Sequence, residues 1–324
     1  MARPVVYIAL QQFGEQDDRP LRLLGDAGCD IRQNTLGRRL RREDLREVLR
    51  EADAVLAGVE PYDAELLAAL PRLRCISRCG AGTDSIDLAA ARDHGIAVYT
   101  TPEAVVEPVA QLTVAMILAL ARNLPSHLGE AREGRWTKRT GVLLSEWTIG
   151  LVGFGRIGRR VHECLRPFGP RVLVHDPALP EGELPPGVEL RSLPSLLAQA
   201  DLVSLHAARP AAEGALLGRR EFQLMKPGSF LVNTARGFLV DEAALEAALR
   251  GGRLAGAALD VFQEEPYTGP LAALPTVLCT PHVASLTRPS RAAMELRAAQ
   301  HILSHFAGAP GGSGARAAAA MGAR

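Results

Sequence analysis

Short apolar runs separated by amphipathic stretches set the rhythm of the first hundred residues. Residues 5–10 (Val-Val-Tyr-Ile-Ala-Leu), 54–57, 74–77 and 97–99 are strand candidates, each closed by Gly or polar punctuation. Between them, 20–27 reads as a helix stopped by Gly28, and 42–50 as a second helix with leucine and charge at helical spacing. Strands alternating with helices predict a parallel sheet covered on both faces. From Pro102 the pattern changes. A long apolar helix is predicted over 109–121, interrupted by Gln111 and Thr113 and followed by Arg122. It reads as a buried helix rather than a membrane span. After a basic loop, 134–139, the alternation resumes with strands at 148–153, 171–175, 202–206, 229–233, 256–259 and 277–280. Helices lie between them, one at 159–168. Six such strands match a doubly wound dinucleotide-binding domain. An amphipathic helix at 288–306 closes the pattern, and the Gly/Ala-rich tail 308–324 is expected to be disordered.

Composition changes this picture little. The 324 residues are 47% hydrophobic and 23% charged, a globular balance with room for two domains. A net charge of +1 gives no footprint for nucleic acid or an anionic membrane. The five cysteines (Cys29, Cys75, Cys79, Cys164, Cys279) form no CxxC pair and join no metal-ligand spacing. No metal is expected, and the thiols are expected to be reduced in a cytoplasm.

Candidate chemistry begins at residues 148–158. There a strand runs into Gly153-Phe154-Gly155-Arg156-Ile157-Gly158, the spacing GxGxxG. The first Gly permits the tight turn, the second admits a pyrophosphate, and the third lets helix pack on strand. The helix N-terminus offers N–H groups and partial positive charge to phosphates. Alone the motif is weak, because glycine turns are common. Here a strand precedes it, a helix follows, and the next strand ends in Asp176. An acid there accepts hydrogen bonds from the ribose hydroxyls and repels a 2′-phosphate, so NAD is expected over NADP.

Three polar residues then stand just past strand ends, where a doubly wound sheet places its ligands: Arg236, Glu265 and His282. Reduction of a 2-keto acid needs these types. A guanidinium forks onto the carboxylate and polarises the keto oxygen. An imidazolium gives a proton as the carbonyl is reduced, and a neighbouring carboxylate orients the ring. Each residue taken singly is more often structural; their joint placement favours a site.

Residues 73–287 resemble the D-2-hydroxyacid dehydrogenase family. The resemblance is carried by Gly80-Ala81-Gly82-Thr83-Asp84, Gly153–Gly158 with Asp176, Val232–Gly237, 259–266 and Thr280-Pro281-His282. It implies two doubly wound α/β domains of Rossmann/flavodoxin type with an active-site cleft between them. The substrate-binding domain is then 1–101 plus 288–307, and the NAD-binding domain 102–287. It implies Arg236 as substrate anchor, Glu265 as partner and His282 as acid/base. Asp260 and the Ala235 carbonyl are implied to hold the nicotinamide carboxamide, and the Ala81-Gly82 N–H groups the substrate carboxylate. With Gly153, Gly155, Arg156, Ile157, Gly158 and Asp176, His206 joins the expected cofactor contacts.

The helix starting near Pro102 is the expected homodimer interface, although the sequence equally allows it to be core within one subunit. Two features bear on the substrate. Arg78 aligns with a phosphate-contacting arginine of phosphoglycerate dehydrogenases, and Arg135, Lys138 and Arg139 are basic residues that some relatives use across subunits. Against a phosphate stands Gly58-Val59-Glu60, where such enzymes often place an arginine. Arg209, near the expected phosphate site, is read as solvated. The other class of function on this scaffold is an NADH-sensing, corepressor-like binding protein, which keeps similar catalytic residues. Near-neutral charge and small size favour the enzyme.

Overall fold

The computed structural model describes residues 3–179, 184–208 and 214–308. Arg209 and residues 309–324 therefore lie outside the described residues. The chain divides into two compact units, Met1–Val105 with Ser285–Arg324, and Val106–Ala284.

The first unit is a five-stranded parallel sheet of β1 (Val5–Ile8), β2 (Asp30–Gln33), β3 (Ala54–Ala57), β4 (Cys75–Arg78) and β5 (Ala97–Tyr99), in the order β2-β1-β3-β4-β5. Helices α1 (Arg19–Asp26), α2 (Arg42–Val48), α3 (Ala64–Ala68) and α4 (Leu88–Asp93) connect the strands. Because side chains alternate across a strand, Tyr7, Val55 and Ile76 face one way. They pack with Leu45 and Leu49, Leu66 and Leu67, and Ala90 and Ala91 from the α2, α3 and α4 segments. The opposite face carries Ile8, Leu56 and Ser77. Met294, Ala298, Ala299 and Ile302 of a late helix, named below as α11, are buried in this unit, and the Ser77 Oγ donates to the Ala298 carbonyl at 3.0 Å. Strand β2 was not expected. It is an edge strand of sequence Asp-Ile-Arg-Gln with no buried residue, so it leaves no apolar signal.

The second unit opens with α5 (Val106–Ala121) and α6 (Leu124–Arg132). Its seven-stranded parallel sheet is built from β6 (Thr148–Val152), β7 (Arg171–His175), β8 (Val188–Leu190), β9 (Leu202–Leu205), β10 (Ser229–Asn233), β11 (Leu254–Leu259) and β12 (Val277–Cys279). The order is β12-β11-β10-β9-β6-β7-β8, with the reversal between β6 and β9 that defines a doubly wound sheet. Six of these strands match those expected; the seventh, β8, is a three-residue edge strand. Helices α5 and α7 (Arg156–Leu165) cover one face through Val114, Ile117, Leu120, Val161 and Leu165. On the other face lie α8 (Leu193–Gln199), α9 (Arg219–Leu224) and α10 (Glu242–Arg250), through Leu197, Phe222 and Leu245. After Ala284 the chain returns to the first unit as α11 (Arg288–Ala307). Helix α7 starts three residues earlier than its pattern suggests, because its first turn is the glycine motif itself.

Candidate active site

The glycine turn is shaped by close approaches. Gly153 has φ +94°, and a Cβ there would lie 2.6 Å from the His206 carbonyl carbon. A Cβ on Gly158 would lie 2.4 Å from the Gly153 oxygen. Gly155 differs: a side chain on it would project into open space, the room a pyrophosphate needs beside the N-terminus of α7. That helix start has no side-chain cap, so no side chain competes for its N–H groups. Asp176, at the end of β7, accepts from the Phe154 N–H at 2.8 Å and the Ala178 N–H at 3.0 Å. The acid is thus fastened to the glycine loop.

His206 completes this edge. Burial pushes it down to about 4, so the ring is neutral at ordinary pH. Its Nε2 meets the Ser204 Oγ at 2.9 Å, while among the described residues its buried Nδ1 has no partner. A buried ring nitrogen without a partner, set against Gly153 and Gly158, fits a site completed by a cofactor oxygen.

At the other edge, three loops converge on the expected catalytic residues. The loop after β10 is held by Asn233, whose amide donates to the Arg236 carbonyl at 2.8 Å while its Oδ1 accepts from the Ala235 N–H at 3.0 Å. The Arg236 Nη1 donates to the Ala235 carbonyl at 2.7 Å. Next to it, Gly237 has no room for a side chain, since a Cβ would fall 1.9 Å from the Phe262 carbonyl carbon. That contact locks the Arg236 loop onto the loop after β11. In that second loop the Glu265 Oε1 accepts from the Phe262 N–H at 3.1 Å, and its Oε2 meets the His282 Nδ1 at 2.8 Å. Both side chains are open to solvent. His282 has φ +54°, a left-handed conformation that costs a non-glycine residue on the order of 1 kcal/mol. Its N–H is bonded to the Asp260 and Thr280 carbonyls at 2.9 and 3.0 Å.

Asp260 organises this third loop. It is fully buried, and its Oδ1 accepts from the Thr280 hydroxyl at 2.5 Å and the Val283 N–H at 2.9 Å. Its Oδ2 accepts from the Ala284 N–H at 2.9 Å. The resemblance assigned Asp260 to a carboxamide; here its lone pairs hold the segment on either side of His282. Two residues outside the expected set belong to the same framework. Thr113, which interrupts the apolar pattern of α5, meets the Thr234 hydroxyl at 2.8 Å, and Asn233 forms the turn that presents Arg236. A threonine at a buried helical position was the available sequence signal.

In the first unit, Gly80 has φ +142° and its N–H donates to the Thr101 hydroxyl at 2.8 Å. Ala81 is exposed, and among the described residues no acceptor takes the N–H of Ala81 or Gly82. Arg78 folds back on this loop, its Nη1 3.3 Å from the Cys79 carbonyl. Arg135, Lys138 and Arg139 lie in an irregular exposed segment, with Arg139 paired to Glu130 at 2.5 Å.

Comparison with known proteins gives a consistent result. The family described as D-isomer specific 2-hydroxyacid dehydrogenase, NAD binding domain, matches residues 114–284. A glyoxylate reductase of Aeropyrum pernix is 40% identical over 279 residues, 82% of this chain and 83% of that one. A D-3-phosphoglycerate dehydrogenase of Mycobacterium bovis is 39% identical over 251 residues, 76% of this chain. The chain spans about half the length of that relative, 48%. Among solved structures, a D-lactate dehydrogenase of Aquifex aeolicus complexed with NAD and lactic acid has a TM-score of 0.82 at 28% identity, covering 94% of this chain and 96% of that one.

Proposed function

The chain belongs to the D-isomer specific 2-hydroxyacid dehydrogenases, and on that premise we propose that Arg236, Glu265 and His282 interconvert a small D-2-hydroxy acid and its 2-keto acid. NAD is the cofactor, and in its reduced form it supplies the hydride. Gly153, Gly155, Arg156, Ile157 and Gly158 would receive its pyrophosphate, and Asp176 its adenosine ribose. His206 and the Ala235 carbonyl would meet it further along the sheet edge.

The remaining chemistry falls to the chain's own side chains. Arg236 binds the substrate carboxylate and polarises the keto oxygen with its fork of donors. With Nδ1 turned onto Glu265, the neutral ring of His282 keeps its proton on Nδ1 and its lone pair on Nε2. In the imidazolium Nε2 carries the proton given to the developing alkoxide, which leaves the neutral ring; in the reverse direction the Nε2 lone pair takes the proton from the hydroxyl. The observation carrying this reading is the 2.8 Å His282–Glu265 pair, built on the loops after β11 and β12 that Asp260 ties together.

A panel of 2-keto acids with NADH, followed at the nicotinamide absorbance, tests it. In His282→Ala, kcat falls on the order of 10²–10⁴-fold while NADH still binds by fluorescence titration. Loss of NADH binding in that variant shows a structural histidine instead. Arg236→Lys keeps the charge but loses the fork, so kcat/KM falls by roughly 2–4 kcal/mol of transition-state binding. Full activity with an unaltered KM removes Arg236 from the site.

A homodimer is also proposed. Most of α5 is core within its own unit, so the surface left for a second copy is α6 with the segment after it. Leu124, Leu128, Leu143 and Trp136 are exposed there, Trp136 at 87%. Sedimentation of the native protein and of Trp136→Glu tests this. A cytoplasmic location agrees with five unpaired thiols.

A further inference from the structure

Strand β9 carries one polar side chain that the packing of the second unit does not require. It reads Leu202-Val203-Ser204-Leu205, and all four residues are buried. The pairing neighbours of Ser204 are Leu151 of β6 and Val232 of β10, both fully buried as well. A hydroxyl among apolar neighbours needs a partner. Among the described residues Ser204 has one, the His206 Nε2 at 2.9 Å. His206 continues the ladder past the end of β9, its N–H donating to the Val152 carbonyl at 2.7 Å. Side chains alternate along a strand, so Ser204 and His206, two positions apart, leave the same face of the sheet. That is the face of α7, because Leu202 belongs to the apolar cluster that contains Val161 and Leu165. There His206 borders the glycine turn: a Cβ on Gly158 would lie 3.7 Å from its own Cβ.

The direction of the Ser204–His206 bond follows from the protons available. A serine hydroxyl has one proton to give and lone pairs to receive. If it accepted from an Nε2–H, its own proton would be buried without an acceptor. Donating to Nε2 satisfies it, and Nε2 is then bare. The ring is neutral, since burial pushes it down to about 4, and its single proton therefore sits on Nδ1. Nδ1 is the buried ring nitrogen that has no partner among the described residues. A donor left over beside the glycine turn suits an acceptor oxygen; the other tautomer would present a lone pair instead. Resting on the reading of this unit as the NAD-binding one, we infer that Ser204 is a positioning residue: its hydroxyl holds His206 in the tautomer protonated on Nδ1, and that N–H donates to an oxygen of the cofactor. The assignment gives a reason for a serine within a run of leucine and valine.

Nitrogen NMR of the cofactor-free protein, labelled at histidine, reads the tautomer directly, with the His206 ring identified as the signal missing in His206→Asn. The expected pattern at neutral pH is a protonated Nδ1 and a bare Nε2. A proton on Nε2 overturns the inference before any ligand is added. On addition of NADH the Nδ1–H resonance should shift, and a resonance that stays put while NADH binds overturns the contact. Ser204→Ala removes the donor, so the preference for Nδ1–H is lost. The Kd for NADH by fluorescence titration then rises about tenfold, and KM for NADH rises by more than kcat falls. Ser204→Thr keeps the hydroxyl and should retain both the tautomer and the Kd. A serine that served packing alone would lower the urea midpoint in Ser204→Ala but leave tautomer and Kd in place, which overturns the inference by itself. A native protein that binds no NADH overturns the reading of the unit, whatever the tautomer.

Discussion

At the scale of single residues, the catalytic candidates were legible because their chemistry sits at strand ends, where position and side-chain type agree. Their supports were not. Asp260 bonds to Thr280, Val283 and Ala284, 20 or more residues further along, and such pairings leave no local pattern. Asp260→Asn turns an amide toward donors that require acceptors, at a cost of about 1–3 kcal/mol. The expected result is a fall in kcat with the structure otherwise folded, read by turnover and circular dichroism. Glu265→Ala removes the acceptor that meets the His282 Nδ1 at 2.8 Å, so kcat for keto-acid reduction should fall while NADH still binds, read by turnover and fluorescence titration; an unchanged kcat uncouples the pair. Asp176→Ala removes the group fastened to the Phe154 N–H, and the ratio of kcat/KM for NADH over NADPH should drop.

Elements were readable in proportion to how much apolar surface they bury. Strands β6, β9, β10 and β11 are buried runs and emerged from the sequence within a residue or two. The edge strands β2 and β8 did not, since a strand paired on one side needs no apolar run. Helix α5 shows the converse. Its apolar length satisfied the criteria for core and for a subunit face alike, and only packing against β6 and α7 separates them. Thr113 then has a reason to be there, because its hydroxyl fastens α5 to the loop that presents Arg236. Thr113→Val strands the buried Thr234 hydroxyl and should cost about 1–3 kcal/mol, measurable as a lowered midpoint in urea.

For the molecule as a whole, histidines that are buried or half-buried contribute to the response to acid. His206 is pushed down to about 4 by burial, and burial also lowers His162, His301 and His305. Each binds its proton less readily folded than unfolded. Their contribution is present above the ordinary histidine value of about 6.5 and is lost as pH falls through it, down to about 4 for His206. His206 alone accounts for on the order of 3 kcal/mol by that point. The Tm should thus drop between pH 7 and 5, with a shallower drop in His206→Asn. One feature of the architecture also orders events in time. The first unit is discontinuous: Ser77 of β4 and the N–H of Gly14 are met by Ala298 and Glu295 of α11. A ribosome has therefore made every strand of that sheet, and the whole of the second unit, before the helix that seals its open face exists. Until then Ile8 and Leu56 have no α11 to cover them, and a nascent chain stalled after Ala284 should hold a protease-resistant 106–284 beside a first hundred residues still open to cleavage.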